Sequence, residues 1–396
     1  MDILVLNCGS SSVKFAVIDS QTGANRVVGL GERLGQAESR LEWKIDGKKE
    51  QKPLGGGDHA VALRAVVDLL RSLGLAAGIR GIGHRVVHGG SRFSASVIVN
   101  AAVKDGIKAC FKLGPLHNPP NLLGIDLAEE LFPGLPNVAV FDTSFHATMP
   151  EKAYLYAVPW ELYQEQGVRR YGFHGTSHRF VAGKALEALG LVGKPSGIVT
   201  AHLGNGCSAA AVKDGTSVDT TMGLTPLEGL VMGTRSGDVD PALHGFLQDN
   251  LGWDAKKTID VLNKKSGLLG LSGVSNDMRS VVEAHRGGNR RATTALEVFT
   301  YRLAKAIAGL VAGLDRFDAV VFTGGIGENN PEPIRAWTCK HLQALGVELD
   351  PARNANHGAG CKGVISPEGR RPAVVVVPTN EELVIAQDTA ALVGKC

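Results

Sequence analysis

Ile3-Leu-Val-Leu-Asn-Cys-Gly-Ser-Ser-Ser-Val-Lys-Phe-Ala-Val-Ile-Asp19 opens the chain. Two apolar runs, Ile3–Leu6 and Val13–Ile18, flank a polar turn from Asn7 to Ser12, and this pattern predicts a β-hairpin. Its tip offers backbone N–H groups, hydroxyls that include Ser10 and Ser12, and Lys14 just beyond, all groups that suit a phosphate chain. Alone, the stretch reads more simply as an ordinary hydroxyl-rich turn. A second stretch changes the weighing. Gly197-Ile-Val-Thr-Ala-His-Leu-Gly-Asn-Gly-Cys-Ser-Ala-Ala-Ala-Val-Lys-Asp-Gly215 again runs from an apolar segment through a Gly/Asn/Ser turn to another apolar segment. Leu6-Asn-Cys-Gly-Ser-Ser answers Leu203-Gly-Asn-Gly-Cys-Ser, and both continue into a strand of small or apolar residues that ends in Asp. The repetition implies a duplicated design.

A chain of 396 residues exceeds what one hydrophobic core usually organises, so two domains are expected. Apolar residues make up 44% and charged ones 20%, which is an ordinary globular balance. The net charge is only +3 and no Lys/Arg run makes a basic stripe, so nucleic acid is not favoured as a partner and any anion must be met by a local pocket. Six scattered cysteines, at 8, 110, 207, 339, 361 and 396, show no C-x-x-C spacing and point to a reducing cytoplasm. No leader-like N-terminus and no apolar run of ~18–20 residues is present, so neither export nor a membrane is expected.

Between the two hairpins the signals alternate. Polar, Gly-punctuated sequence fills Gly35–Gly57, and then Val61, Leu63, Val66, Val67, Leu70 and Leu73 fall at helical spacing behind a candidate Asp58 cap. Ile82–Val87 reads as a strand, and helical segments near Val103–Phe111 and Asn121–Leu131 bracket Pro115-Leu-His-Asn-Pro-Pro-Asn121, whose prolines are expected to exclude helix and hold His117 in a loop. Val138–Phe141 is a buried strand with Asp142 at its carboxyl end, the edge where α/β sheets bind ligands. In the second half a helix near Arg291–Gly313, a strand Ala319–Thr323, the turn Gly324–Asn329 and a last strand Ala373–Val377 before a C-terminal helix complete an α/β pattern with a cleft expected between two halves.

Familiar signatures exclude as much as they include. No G-x-x-x-x-G-K-[ST] is present, and the one G-x-G-x-x-G, Gly358–Gly363, follows no strand and is read as chance. His174 and His178 have the spacing of helical zinc ligands, but the glutamate of H-E-x-x-H is missing and Gly172 and Gly175 oppose a helix there. Cations beside flexible backbone are more informative: His84-Arg-Val-Val-His-Gly-Gly90, Arg169-Arg-Tyr-Gly-Phe-His-Gly175 and Met232-Gly-Thr-Arg-Ser-Gly-Asp-Val-Asp240. Any one is as readily a solvated arginine. Together they suit phosphoryl transfer, which needs fixed positive charge around the migrating group.

Asn7-x-Gly-Ser-Ser-Ser-x-Lys14, Gly172-Phe-His-Gly-Thr-Ser-His178, His202-Leu-Gly-Asn-Gly206, Thr225-Pro-Leu-Glu-Gly-Leu-Val-Met-Gly-Thr-Arg-Ser-Gly237, Phe322-Thr-Gly-Gly-Ile-Gly-Glu-Asn329 and Thr379-Asn-Glu-Glu382, in that order, resemble the acetokinase family. The motifs span essentially the whole chain. The resemblance implies an α/β architecture of two duplicated ribonuclease H-like domains, the actin-like ATPase fold. One domain is expected over 1–144 plus 382–396 and a nucleotide-binding one over 145–381. It implies reversible, direct in-line transfer from ATP to acetate, a divalent ion (Mg²⁺, with Mn²⁺ as the alternative) on Asn7 and Glu381, and a homodimer. Nucleotide contacts then fall to Lys14, to His202, Leu203, Gly204, Asn205 and Gly206, to Asp277, Met278 and Arg279, and to Gly325, Ile326, Gly327, Glu328 and Asn329. Arg85, Val87, Leu116, Phe173 and Pro226 would enclose the acyl group, His174 and Arg235 would stabilise the transition state, His117 would contact phosphate, and Asp142 would be the family's acid/base.

An ionised carboxylate needs no base, so Asp142 is better expected to place Mg²⁺ or its water, with Arg85 on the carboxylate and His174 and Arg235 on the γ-phosphoryl. Domain closure is expected to exclude water. Two alternatives stand beside this reading. A propionate or butyrate kinase of the same family would differ only in pocket volume, with Val87, Leu116 and Pro226 favouring the two-carbon acid. An actin- or Hsp70-like module would hydrolyse ATP slowly and without regard to acetate.

Overall fold

The computed structural model describes residues 1–395, and they form two compact units: Met1–Phe145 together with the chain from Asn380 onward, and His146–Thr379. In the first unit β1 (Asp2–Cys8) and β2 (Ser12–Asp19) form the expected hairpin, with Asn7 directly opposite Lys14. β3 (Asn25–Glu32), β4 (Arg40–Ile45), β5 (Lys48–Pro53), β6 (Ile79–Val86), β7 (Val97–Ile98) and β8 (Asn137–Phe141) complete a sheet of order β5-β4-β3-β2-β1-β6-β8-β7. β1 is central and buried on both faces, which is why its sequence is a continuous apolar run rather than an alternation. Leu4 and Leu6 pack with Leu63, Val66 and Leu70 of helix His59–Ser72, while Ile3 and Val5 meet Ile385 and Ala386 of helix Glu381–Val393. Asp58 caps the first of these helices, accepting from Val61 N at 3.1 Å.

Two stretches gain definition. The polar Gly35–Gly57, to which the sequence assigned no element, contains β4 and β5 paired as an edge hairpin around Asp46-Gly47, both left-handed with φ of 48° and 81°. The Asp-Gly pair and the alternation Leu41, Trp43, Ile45 were its signal. Helix Asn118–Leu131 begins inside the proline run, with Pro119 and Pro120 in its first turn, where a helix has no use for their missing N–H groups. His117 is therefore the residue at the helix entrance.

The second unit repeats the frame. β9 (Gly197–Leu203), β10 (Cys207–Lys213), β11 (Thr216–Thr220), β12 (Ala319–Thr323) and β13 (Ala373–Val376) lie in the order β11-β10-β9-β12-β13. β3-β2-β1-β6-β8 has the same succession of antiparallel and parallel pairings, so the duplication read from the two hairpins is present in the topology. Helix Arg290–Val311, capped by Asn289, lays Leu296, Phe299, Leu303 and Ile307 into the core. A helix does begin inside the Gly172–His178 motif and includes His178, although the glycines were expected to oppose one there. It starts at Gly175, immediately after His174, whose φ is 56°. Among the described residues no helix is long and apolar enough to cross a membrane.

Candidate active site

In the first unit the hairpin tip, the end of β6 and the start of the C-terminal helix supply the chemistry. Asn7, Lys14, Arg85, Glu381 and Glu382 line one cavity of about 110 Å³ with Val5, Phe15 and Ile385. Lys14 pairs with Glu382. Arg85 donates from Nε and Nη2 to the two carboxylate oxygens of Asp142, at 2.9 and 2.7 Å. Asp142 thus binds a guanidinium where magnesium or its water was expected. It is held there because its N–H extends the β6–β8 ladder to Val86 O at 3.0 Å. Burial alone would lower the Arg85 pKa, but Asp142, Glu381 and Glu382 raise it, so its charge is fixed. Val87 is buried, while Leu116 is 64% exposed and gives no wall to an acyl pocket in this unit.

In the second unit, imidazoles and hydroxyls gather around the β9–β10 turn. His174 stacks on His202 with ring centroids 4.3 Å apart. His174 Nδ1 lies 2.8 Å from Ser208 Oγ, and His202 Nδ1 lies 2.7 Å from Ser177 Oγ, which also contacts Thr379 Oγ1 at 2.8 Å. Arg235 donates to the Pro226 carbonyl at 2.9 Å, and a Cβ on Gly206 would stand 3.5 Å from both Arg235 Nη1 and His174 Nε2. Phe173 is buried and its carbonyl lies 3.0 Å from His146 Nε2. Burial holds the His146 pKa down to about 4, and burial beside His146 and His202 holds His178 well below the usual range.

The segments expected to face a nucleotide lie on the same unit. Asn205 Oδ1 accepts from Asn276 Nδ2 at 3.0 Å, next to Asp277, which caps helix Met278–Arg286 and pairs with Arg279. Gly325–Asn329 belongs to the short helix Gly324–Asn329 that follows β12. Gly324 has φ 75°, and a Cβ there would meet Leu203 O at 2.7 Å, so only glycine makes this turn. Glu328 accepts from Gly324 N and Thr379 N, at 2.9 and 3.1 Å, and Asn329 donates to Gly325 O at 2.9 Å. Their side chains therefore hold the loop's own shape.

The Acetokinase family model matches residues 2–387. The chain belongs to the acetokinase family. Curated relatives include "Acetate kinase" of Ectopseudomonas mendocina, 54% identical over 392 residues (99% of this chain, 98% of the relative), and that of Deinococcus radiodurans, 52% over 391 residues with the same shares. Among solved structures, a propionate kinase from Francisella tularensis aligns with TM-score 0.94 at 45% identity, and Porphyromonas gingivalis acetate kinase with 0.92 at 42%, each over 99% of both chains. These neighbours and the two matched sheets establish the actin-like ATPase fold.

Within this acetokinase the sequence motifs missed the residues that support the ones they name. Asn121 ties Val87 N to Cys8 O, at 3.0 and 2.8 Å, and so joins the end of β6 to the first hairpin tip. Asn121 lies on helix Asn118–Leu131, at whose entrance His117 stands. Arg335, wholly buried, donates from Nη1 to the carbonyls of Gly327 and Glu328 at 2.9 and 2.7 Å, and from Nε to Asn354 Oδ1 at 2.8 Å. Burial lowers its pKa to about 10. Tyr156 and Arg170 both bind Glu228, two residues from Pro226. A polar residue on a helix or beside a proline carries no local mark of such a partner, since each bond joins different elements, from 7 to 113 residues apart.

Proposed function

We propose that the chain transfers the γ-phosphoryl group of ATP directly to the carboxylate of acetate, reversibly, giving acetyl phosphate and ADP. What carries this reading is the full-length family match, since residues 2–387 include every group given a role here. The acceptor carboxylate is ionised at neutral pH and needs no general base. Arg85 binds it, and Asp142 sets the plane and charge of that guanidinium instead of moving a proton. His174 and Arg235 neutralise the equatorial oxygens of the phosphoryl group as it passes, while His202–Gly206, Asp277–Arg279 and Gly325–Asn329 hold the nucleotide.

The donor set suits Mg²⁺, with Mn²⁺ as the alternative. Among the described residues no three His, Cys, Asp or Glu groups form a metal cluster of their own. An ion of this kind takes one or two carboxylates and completes its shell with water and substrate phosphates. The hard oxygens of Glu381 and Asn7, lining one small cavity, fit that description, and Lys14 beside them adds charge for phosphate. An ion held by Glu381 and Asn7 would supply positive charge against the phosphates. Glu381→Ala should raise the Mg²⁺ concentration needed for half-maximal rate, and an unchanged Mg²⁺ titration would argue against this assignment.

The likeness to a propionate kinase keeps a three-carbon acceptor as the second reading. One methylene is worth only ~1–3 kcal/mol, so the ratio of kcat/KM for the two acids decides it. We further propose a cytoplasmic homodimer. The free cysteines at 8, 110, 207, 339 and 361 support a reducing compartment, and exposed Trp160 and Phe246 on the second unit are apolar surface that a partner copy could cover. ADP release measured with and without acetate tests the function. Release that rises steeply with acetate supports a kinase, and slow release indifferent to it would favour an ATP-switched binding module.

A further inference from the structure

Arg235 Nη1 donates to the Pro226 carbonyl at 2.9 Å, so the guanidinium is aimed by wherever that carbonyl stands. Residues 221–228 around Pro226 belong to no helix or strand, and their place is set at their flanks. Three side chains hold both flanks. Arg170 Nη1 donates to Thr220 O and Thr221 O at 2.8 and 2.9 Å, and its Nη2 donates to Glu228 Oε1 at 2.6 Å. The Tyr156 hydroxyl donates to Glu228 Oε2 and accepts from Leu224 N at 2.8 Å. Taking Arg235 as a cation that meets the migrating phosphoryl group, which rests on the function proposed above, we propose that Tyr156, Arg170 and Glu228 are positioning residues for it. They close residues 220–228 into a fixed arch whose carbonyl at Pro226 orients the Arg235 guanidinium.

The donors and acceptors of this clamp match. A carboxylate only accepts, so the phenol and the guanidinium both donate to Glu228, and the phenol oxygen keeps lone pairs for the Leu224 N–H. Burial, and after it the Glu228 charge, push the Tyr156 hydroxyl up, so it keeps the proton that this bond needs. The Arg170 and Glu228 side chains are only 19% and 31% exposed, where a charge-assisted bond is screened less than on the open surface. Gly223 leaves the arch no slack, because a Cβ there would run into the Glu228 carboxylate and the Tyr156 hydroxyl, and its carbonyl accepts from Tyr171 N at 3.0 Å. Beyond Glu228 the chain is pinned again, with Gly229 N donating to Asp238 Oδ1 at 2.7 Å. The Arg235 backbone is held independently of the arch: its carbonyl accepts from Met232 N at 3.1 Å, and Ser236 N donates to Leu262 O at 2.9 Å. What the arch adds is therefore the direction of the side chain. A guanidinium on a long stem samples many rotamers, and a bond from Nη1 to a carbonyl that cannot move removes that freedom before any anion arrives.

The test is a double-mutant cycle on the full chain. Tyr156→Phe removes the phenol proton and the acceptor for Leu224 N while keeping the ring. It should lower kcat with acetate about tenfold, the worth of one such bond, with nucleotide KM within about twofold. In an Arg235→Ala background, where no guanidinium is left to aim, the same change should lower kcat less than about twofold further. A merely structural role would act equally in both backgrounds. With ¹⁵N-arginine labelling, wild-type Arg235, assigned by the loss of its signals in Arg235→Lys, should show separate Nη1 and Nη2 resonances in the cold that merge in Tyr156→Phe. Unchanged kcat in Tyr156→Phe, an equal fall in both backgrounds, or merged Nη signals in the wild type would overturn the clamp. If Tyr156→Phe does not fold, Glu228→Gln, which keeps the shape of Glu228 and one of its two acceptors, should give the same pattern and is read the same way. Separate Nη signals that merge in Tyr156→Phe, in a protein that releases no acetate-dependent ADP, would uphold the clamp and refute the function.

Discussion

The two units share a strand order and a hairpin, yet they furnish that hairpin in opposite ways. In the first, the groups around the β1–β2 turn are formal charges held in pairs, Lys14 with Glu382 and Arg85 with Asp142. In the second, the β9–β10 turn is surrounded by imidazoles and hydroxyls, with Arg235 a cation close to Gly206. Duplication of a frame therefore does not duplicate chemistry. The strands set where loops can stand, and loop residues decide whether a turn is flanked by paired charges or by imidazoles and hydroxyls.

Breaking the charge pair of the first unit should give the largest effect. Asp142→Ala strands Arg85, whose own side chain is 21% exposed, and should cost about 3–5 kcal/mol of stability in denaturant unfolding. Asp142→Asn keeps one acceptor and should cost less while raising the KM for acetate. A fully stable Asp142→Ala enzyme with unchanged acetate KM would show that the pair does not organise the site. In the second unit, Arg235→Ala should lower kcat by ~10²–10³, the cost of a lost oxyanion donor, and leave nucleotide binding nearly intact. Near-normal turnover would remove Arg235 from the transition state.

Acid separates the units further. His84 in the first unit and His146 in the second are both held near pKa 4 by burial. Because the folded values lie below the unfolded ~6.5, the unfolded chain binds more protons, and stability falls as pH drops from about 6.5 towards 4. Each contributes a loss of roughly 3 kcal/mol by pH 4. The second unit also carries His178, shifted the same way, so its amide protection should fail first on acidification. Simultaneous loss in both units would contradict that ordering.

Smaller effects sharpen the contrast between site and scaffold. Arg335→Met should raise nucleotide KM about tenfold with kcat little changed, because it frees the carbonyls at the end of the Gly324–Asn329 helix. Unchanged nucleotide KM would mean the loop holds itself. Gly47→Ala, at φ 81° in the edge hairpin, should cost about 1 kcal/mol and leave turnover untouched.

Much of this was legible before any coordinates. Continuous apolar runs marked β1 and β9 because central strands are covered on both faces, and the glycine turns marked the loops they feed. Motif residues such as His174 and Arg235 were found because their neighbours are glycines with special backbone. The β4–β5 hairpin was missed although Asp46-Gly47 announced it, since every residue of β5 is exposed and leaves no apolar pattern. The Pro119-Pro120 helix start was missed by treating proline as a breaker at the one end of a helix that tolerates it. The partners of Asp142, Ser208 and Arg335 could not be read at all, because 57, 34 and 8 residues of chain separate them from Arg85, His174 and Gly327.

The central claim is that the acceptor is a short carboxylate and the product an acyl phosphate. Trapping with hydroxylamine tests it most directly, with ATP, Mg²⁺ and acetate, propionate or butyrate supplied in turn. Hydroxamate should form in step with ADP release and fastest with acetate. ATP turnover that yields no hydroxamate with any of the three acids would contradict the account.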